Sequence, residues 1–153
     1  MKRFATLLLL IALPALGAQD LDQSQNSAEE LQLDPALRGI LWSLFEKSRY
    51  GFSNLESAAF LVRTPNGGLS FIPWTGSEYE NEARWVGPIP KGVIAIAHTH
   101  GNRYPRPSKV DARTARRTGL PVIVITAYRI VKTTGGKPQL VARSDWWPTR
   151  VNP

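Results

Sequence analysis

Apolar and polar positions divide the chain into segments with different periods. Phe4 to Leu16 is a nearly continuous apolar stretch interrupted by Pro14. Gln19 to Glu30 holds a single strongly apolar residue, Leu21, which predicts a flexible stretch without a packed element. From Asp34-Pro35 the pattern changes, and Leu37, Ile40, Leu41, Leu44 and Phe45 recur at helical spacing. Asp34 suits an N-cap and Pro35 a first helical position, so the spacing predicts an amphipathic helix to about Lys47.

Strand patterns follow. Ser57 to Thr64 and Leu69 to Trp74 flank Pro65-Asn66-Gly67-Gly68, a hairpin signal. Residues 75–90 carry Glu78, Glu80 and Glu82 and end in Pro88 and Pro90, which predicts a surface excursion with a short strand around Arg84 to Val86. Val93 to Ala97 is wholly apolar, the mark of a strand covered on both faces. Lys109 to Thr118 reads as a helix ended by Gly119, and Val122 to Thr126 as a second buried strand after Pro121. Arg129 to Lys132 and Gln139 to Arg143 surround Thr133-Thr134-Gly135-Gly136-Lys137, a second hairpin. Trp146-Trp147-Pro148 is aromatic without a period. This order predicts an α/β fold, a mixed sheet flanked by helices.

A length of 153 residues suits one domain with a hydrophobic core. The basic Met1-Lys2-Arg3, the apolar run and the small residues of Ala15-Leu16-Gly17 predict a secretory signal over residues 1–17, followed by a flexible mature N-terminus over 18–33 and the domain over 34–153. The apolar run is shorter than the roughly 20 residues a spanning helix needs, so export rather than anchoring is expected, with no transmembrane segment after signal removal. The expected location is periplasmic or secreted. No cysteine is present, which excludes disulfides and leaves any metal site to nitrogen and oxygen ligands. The formal charge of +7 becomes +5 once Lys2 and Arg3 leave with the signal. No dense Lys/Arg run accompanies it, so a solvated basic face is expected and no nucleic-acid partner.

The chemistry concentrates after the first buried strand. His98 and His100, the only histidines, stand at i and i+2, where alternate strand residues project to one side with Cα atoms about 6.5 Å apart. Two imidazoles so placed can converge on one ion, although two polar residues at a sheet edge would look the same. Ser108 and Asp111 open the second helix as Ser-x-x-Asp, the pattern of a capping box. A carboxylate in that first turn, returned to the strand end by a loop stiffened with Pro105 and Pro107, also serves as a third ligand. Two imidazoles and a carboxylate leave a fourth position for water, as catalytic zinc requires.

His98-Thr99-His100, seven intervening residues and Ser108-x-x-Asp111 resemble the signature of the JAMM metalloprotease family, also called JAB/MPN. Leu55-Glu56-Ser57-Ala58-Ala59-Phe60-Leu61-Val62 looks like that family's upstream glutamate segment. The resemblance covers roughly residues 35–145. It implies a JAB/MPN, cytidine-deaminase-like architecture and Zn2+ held by His98, His100 and Asp111. It also implies Glu56 as general acid/base and Ser108 as hydrogen-bond donor to an oxyanion. The chain departs from the pattern at Ala59 and near Arg63, where family members usually carry glycine. Glu46, inside the first predicted helix, is the other candidate for the acid/base role.

The implied activity is hydrolysis of an amide bond by metal-activated water, with a peptide or protein substrate, including a cell-envelope component. Arg103, Tyr104 and Arg106 in the loop, and Trp74, Trp85, Trp146 and Trp147, are candidate substrate contacts whose ordinary roles are solvated loop cations and packing. The alternative function is a catalytically inactive JAB-fold binding or toxin-associated module; another is an exported basic protein that binds an anionic polymer. Metal-dependent (β/α)₈ barrels need more histidines and roughly 250 residues, and a zinc deaminase needs Cys-x-x-Cys.

Overall fold

Asp34 adopts an extended backbone and its carboxylate accepts from the Leu37 N–H at 2.8 Å, which starts helix α1 (Pro35–Lys47) where Pro35 costs no hydrogen bond. The computed structural model describes the backbone of Leu9–Leu10, and residues 33–52, 55–74, 83–144 and 146. The signal and flexible N-terminus expected over 1–33 lie outside the described residues except at Leu9–Leu10 and Leu33, as do residues 75–82 of the excursion and Trp147. No helix among the described residues is long and apolar enough to cross a membrane.

The remaining elements follow the apolar patterns closely. They are β1 (Leu9–Leu10), β2 (Ala58–Arg63), β3 (Leu69–Pro73), β4 (Trp85–Val86), β5 (Val93–Thr99), α2 (Lys109–Thr118), β6 (Val122–Ile125), β7 (Arg129–Thr133) and β8 (Gln139–Arg143). Strand β1 pairs in parallel with β4, apart from the main sheet. Six strands form a mixed sheet in the order β3-β2-β5-β6-β7-β8, in which only β5 and β6 are parallel. Helix α2 makes the crossover that a parallel pair needs. Strands β5 and β6 occupy the centre, which is why their sequences are apolar at every position up to His98 and through Ile125.

The two faces of the sheet carry separate cores. Leu37, Leu41, Leu44 and Phe45 of α1 pack on Ala59, Leu61, Ala95, Ala97, Ile123, Ile125 and Ile130. On the other face Ala115 of α2 joins Ala58, Phe60, Ile96 and Val122, with Trp74 and Ala83. Strand alternation therefore sends His98, two residues beyond Ile96, to the α2 face.

Trp146 falls outside the expected pattern. It is 1 % exposed, packs edge-on against Trp42 and Phe45, and donates its indole N–H to the Thr126 carbonyl at 3.2 Å. The chain after β8 thus returns to close the α1 face.

Candidate metal centre

Register brings the polar residues together. Ala58 pairs with His98, and the Thr99 and Ser57 backbones continue the ladder, Thr99 N–H donating to the Ser57 carbonyl at 2.9 Å. The Ser57 N–H in turn donates to Thr99 Oγ1. The same register brings Glu56 level with His100. Helix α2 approaches from the loop and sets Asp111 beside both histidines. Glu56, His98, His100 and Asp111 are all buried, at 3 %, 1 %, 2 % and 0 % exposure, which is exceptional for four ionisable side chains in contact.

Their contacts have a definite order. His98 stands between two carboxylates, with Nδ1 3.5 Å from Glu56 Oε2 and Nε2 3.0 Å from Asp111 Oδ1. His100 Nε2 is 3.5 Å from Asp111 Oδ2, and the two imidazoles meet edge to face with centroids 4.7 Å apart. His100 Nδ1 lies 3.0 Å from the Tyr104 carbonyl, an acceptor, so it carries the ring proton and leaves the Nε2 lone pair facing inward. Tyr104 thus contributes through its backbone, while its ring is 60 % exposed.

Proximity here is not hydrogen bonding. Glu56 Oε2, both nitrogens of His98, His100 Nε2 and Asp111 Oδ1 are buried without a hydrogen-bond partner of regular geometry. Orphaned buried acceptors are costly unless a cation takes up their lone pairs. Glu56, His98 and His100 each offer a ligand atom within 4.8 Å of the others and form a buried group able to hold a metal ion. That group contains Glu56 and not Asp111, the carboxylate expected from the sequence as third ligand; Asp111 lies beside it, 3.0 Å from His98 Nε2 and 3.5 Å from His100 Nε2.

The electrostatics also call for positive charge. Burial opposes charging His98, yet the Asp111 carboxylate, and more weakly Glu56, raise its pKa to about 10. Burial lowers the pKa of His100, and the neighbouring charged His98 lowers it further. Burial works to raise the Asp111 pKa, but His98, His100 and the Ser108 N–H together hold it well below the usual carboxylate range.

Ser108 is the N-cap of α2. Its Oγ accepts from the Asp111 N–H at 3.1 Å, and its own N–H donates to Asp111 Oδ2, completing the capping box. The cap spends one oxygen of Asp111 and leaves Oδ1 turned to His98. It also uses a lone pair of the Ser108 hydroxyl and not its proton, so capping and donation to a substrate oxygen are compatible. Glu46 is exposed on α1, across the sheet from this cluster. Arg103 and Arg106 are exposed, and Trp74 and Trp85 pack with Phe60 on the α2 face.

Asn102 gives the site a brace that composition alone does not reveal. Its side-chain amide donates to the Tyr50 carbonyl at 2.9 Å and accepts from the Ala127 N–H at 3.0 Å, while its backbone N–H donates to the Gly51 carbonyl at 3.1 Å. It therefore ties the loop after His100 to the turn leading toward Glu56 and to the β6–β7 turn. Arg49, Tyr50 and Gly51 are consecutive residues with φ of 53°, 57° and 69°, a run that needs such external restraint. A Cβ at Gly51 would meet Asn102 Oδ1 at 2.7 Å.

Comparison of the chain with family models, with curated proteins and with solved structures gives no match.

Proposed function

We propose that the chain is a zinc-dependent peptidase of the JAMM type, with His98, His100 and Asp111 as ligands and Glu56 as general acid/base. The observation that carries this reading is the approach of the Asp111 carboxylate to both histidines, Oδ1 at 3.0 Å from His98 Nε2 and Oδ2 at 3.5 Å from His100 Nε2, with His98 Nε2, His100 Nε2 and Asp111 Oδ1 buried and without a hydrogen-bond partner. Two imidazoles and one carboxylate are a donor set suited to zinc with an open coordination position. The mixed sheet with a helix on each face is compatible with the JAB/MPN architecture, which belongs to this proposal.

When bound, zinc supplies the positive charge that brings the pKa of a water toward neutrality and polarises the scissile carbonyl. Glu56 takes the proton as the water oxygen attacks the carbonyl carbon, then delivers it to the leaving amine as the C–N bond breaks. Tyr104 holds His100 in the tautomer that presents Nε2. The Ser108 hydroxyl donates a hydrogen bond to the developing oxyanion while its oxygen caps α2. The same reading makes residues 1–17 a secretory leader and the substrate an exported peptide or an envelope component.

A peptide library incubated with the zinc-loaded protein, with new amino termini read by mass spectrometry, tests the activity. Cleavage that is abolished by a chelator and restored by zinc is expected. Stoichiometric zinc with no cleavage of any peptide would replace the peptidase by a metal-stabilised binding module.

A further inference from the structure

Antiparallel and parallel registers align Ala58, His98, Val124, Val131 and Leu140 in one row across the sheet. At about 4.8 Å per strand, Val131 lies roughly 10 Å from His98, a span of about three residues of extended peptide. Val131 and Leu140 form the floor of a groove of about 600 Å³. Arg106, on the loop between the Tyr104 carbonyl that holds His100 and the Ser108 cap, lines this groove together with Arg129, Lys137 and Arg143. No carboxylate is among its lining residues that the structure describes.

The positive charge is concentrated at some cost to the fold. Arg129 and Arg143 are direct cross-strand partners in β7 and β8, a like-charge pairing that destabilises a ladder. Neither they, Arg106 nor Lys137 forms an ion pair among the described residues. An anionic ligand would relieve this repulsion.

We propose that this groove binds an acidic segment of the peptide substrate, with Asp or Glu side chains about three residues from the bond cut at the metal centre. The link to cleavage rests on the peptidase reading, whereas binding to the groove can be measured without it. The groove shares Arg106's loop with the metal centre, which favours a ligand that is part of the same substrate over a separate polyanion.

The test uses fluorescence anisotropy with the zinc-loaded Glu56→Gln protein, so that binding is read without turnover. The probes are a labelled Asp/Glu-rich peptide, a neutral peptide of equal length and a single-stranded oligonucleotide of equal charge. The acidic peptide is expected to bind about tenfold more tightly than the neutral one, a preference that weakens with added salt. Arg129→Gln, Lys137→Gln and Arg143→Gln combined should remove the preference with zinc content unchanged. Lys137→Glu alone, at an exposed turn position, should reduce it even if the triple variant folds poorly. Equal binding of acidic and neutral peptides, a preference that survives these changes, or tighter binding of the oligonucleotide would overturn the proposal. If the acidic peptide binds in the groove but the wild-type protein cleaves nothing, the groove stands and the peptidase reading falls.

Discussion

Nε2 of His98 lies 3.0 Å from Oδ1 of Asp111, and neither atom is hydrogen-bonded. The two groups attract each other as an ion pair, which raises the His98 pKa and holds that of Asp111 down. Asp111 has a second task through Oδ2, which accepts from the Ser108 N–H. Asp111→Asn should keep much of the cap, since an amide oxygen still accepts that bond, but should abolish metal binding. Asp111→Ala should lose both, and about 1 kcal/mol more stability than the Asn variant. Calorimetry of the metal-free variants, paired with metal analysis, separates the two roles. Equal zinc content in Asp111→Asn and wild type would remove Asp111 from the ligand set.

Ser108 offers a complementary separation. Ser108→Ala should cost about 1 kcal/mol through loss of the cap while zinc is retained. If its proton also reaches the oxyanion, kcat should fall about a hundredfold with little change in KM. A stability loss with unchanged kcat would leave Ser108 as a helix cap alone.

Zinc affinity should rise with pH. Ligation requires the Nε2 lone pair of His98, whose pKa is raised from 6.5 to about 10, so binding in that window displaces one proton. The apparent association constant should gain about tenfold per pH unit from 6.5 toward 10 and then level off. Stability of the metal-free protein follows the same groups. The raised His98 contributes fully below 6.5, and its contribution is lost as pH rises through about 10. The depressed Asp111 contributes above its ordinary value of 3.8, and its contribution is lost as pH falls below that. Chelator competition and thermal melts across pH 5 to 10 read both effects, and a pH-independent zinc affinity would contradict the first.

Asn102 and Gly51 should behave as one unit. Asn102→Ala removes the amide's bonds to Tyr50 and Ala127 and should cost about 1–3 kcal/mol. Gly51→Ala meets the Asn102 carboxamide and is strained by its positive φ. The double variant should therefore be less destabilised than the sum of the single ones, because the clash disappears with the amide. Additive losses in a double-mutant cycle would show that the brace is not shared.

Much of this architecture was legible locally. Asp34-Pro35 marks the start of α1, Pro65-Asn66-Gly67-Gly68 the first hairpin turn, and Ser108 with Gly119 the ends of α2, because each works through its own neighbours. The convergence of Glu56 on the histidines needed the β2–β5 register, and nothing near Glu56 specifies which strand β2 will join. Nothing local marks Asn102 in the loop after His100, since its side-chain partner Tyr50 lies 52 residues away. Thr99 sits between the histidines in sequence, and its hydroxyl's partner was equally hidden, 42 residues back at Ser57.

Trp146 shows the same limit in the core. A lone aromatic beyond the last strand has no period, yet it fills the space between α1 and the β6–β7 turn. Trp146→Ala should cost about 3–5 kcal/mol, which corresponds to a large drop in Tm. Trp146→Phe should recover most of the packing and lose the bond to Thr126. An unchanged Tm in Trp146→Ala would contradict its place in the core.

Metal content measured by mass spectrometry beside peptide hydrolysis separates the proposed ligands His98, His100 and Asp111 from the proposed acid/base Glu56. About one zinc per chain is expected in the wild type, with loss of zinc in His98→Ala and Asp111→Asn and retained zinc without hydrolysis in Glu56→Gln. A wild-type protein free of zinc under metal-replete conditions would overturn the metal centre, and loss of zinc in Glu56→Gln would make Glu56 a ligand.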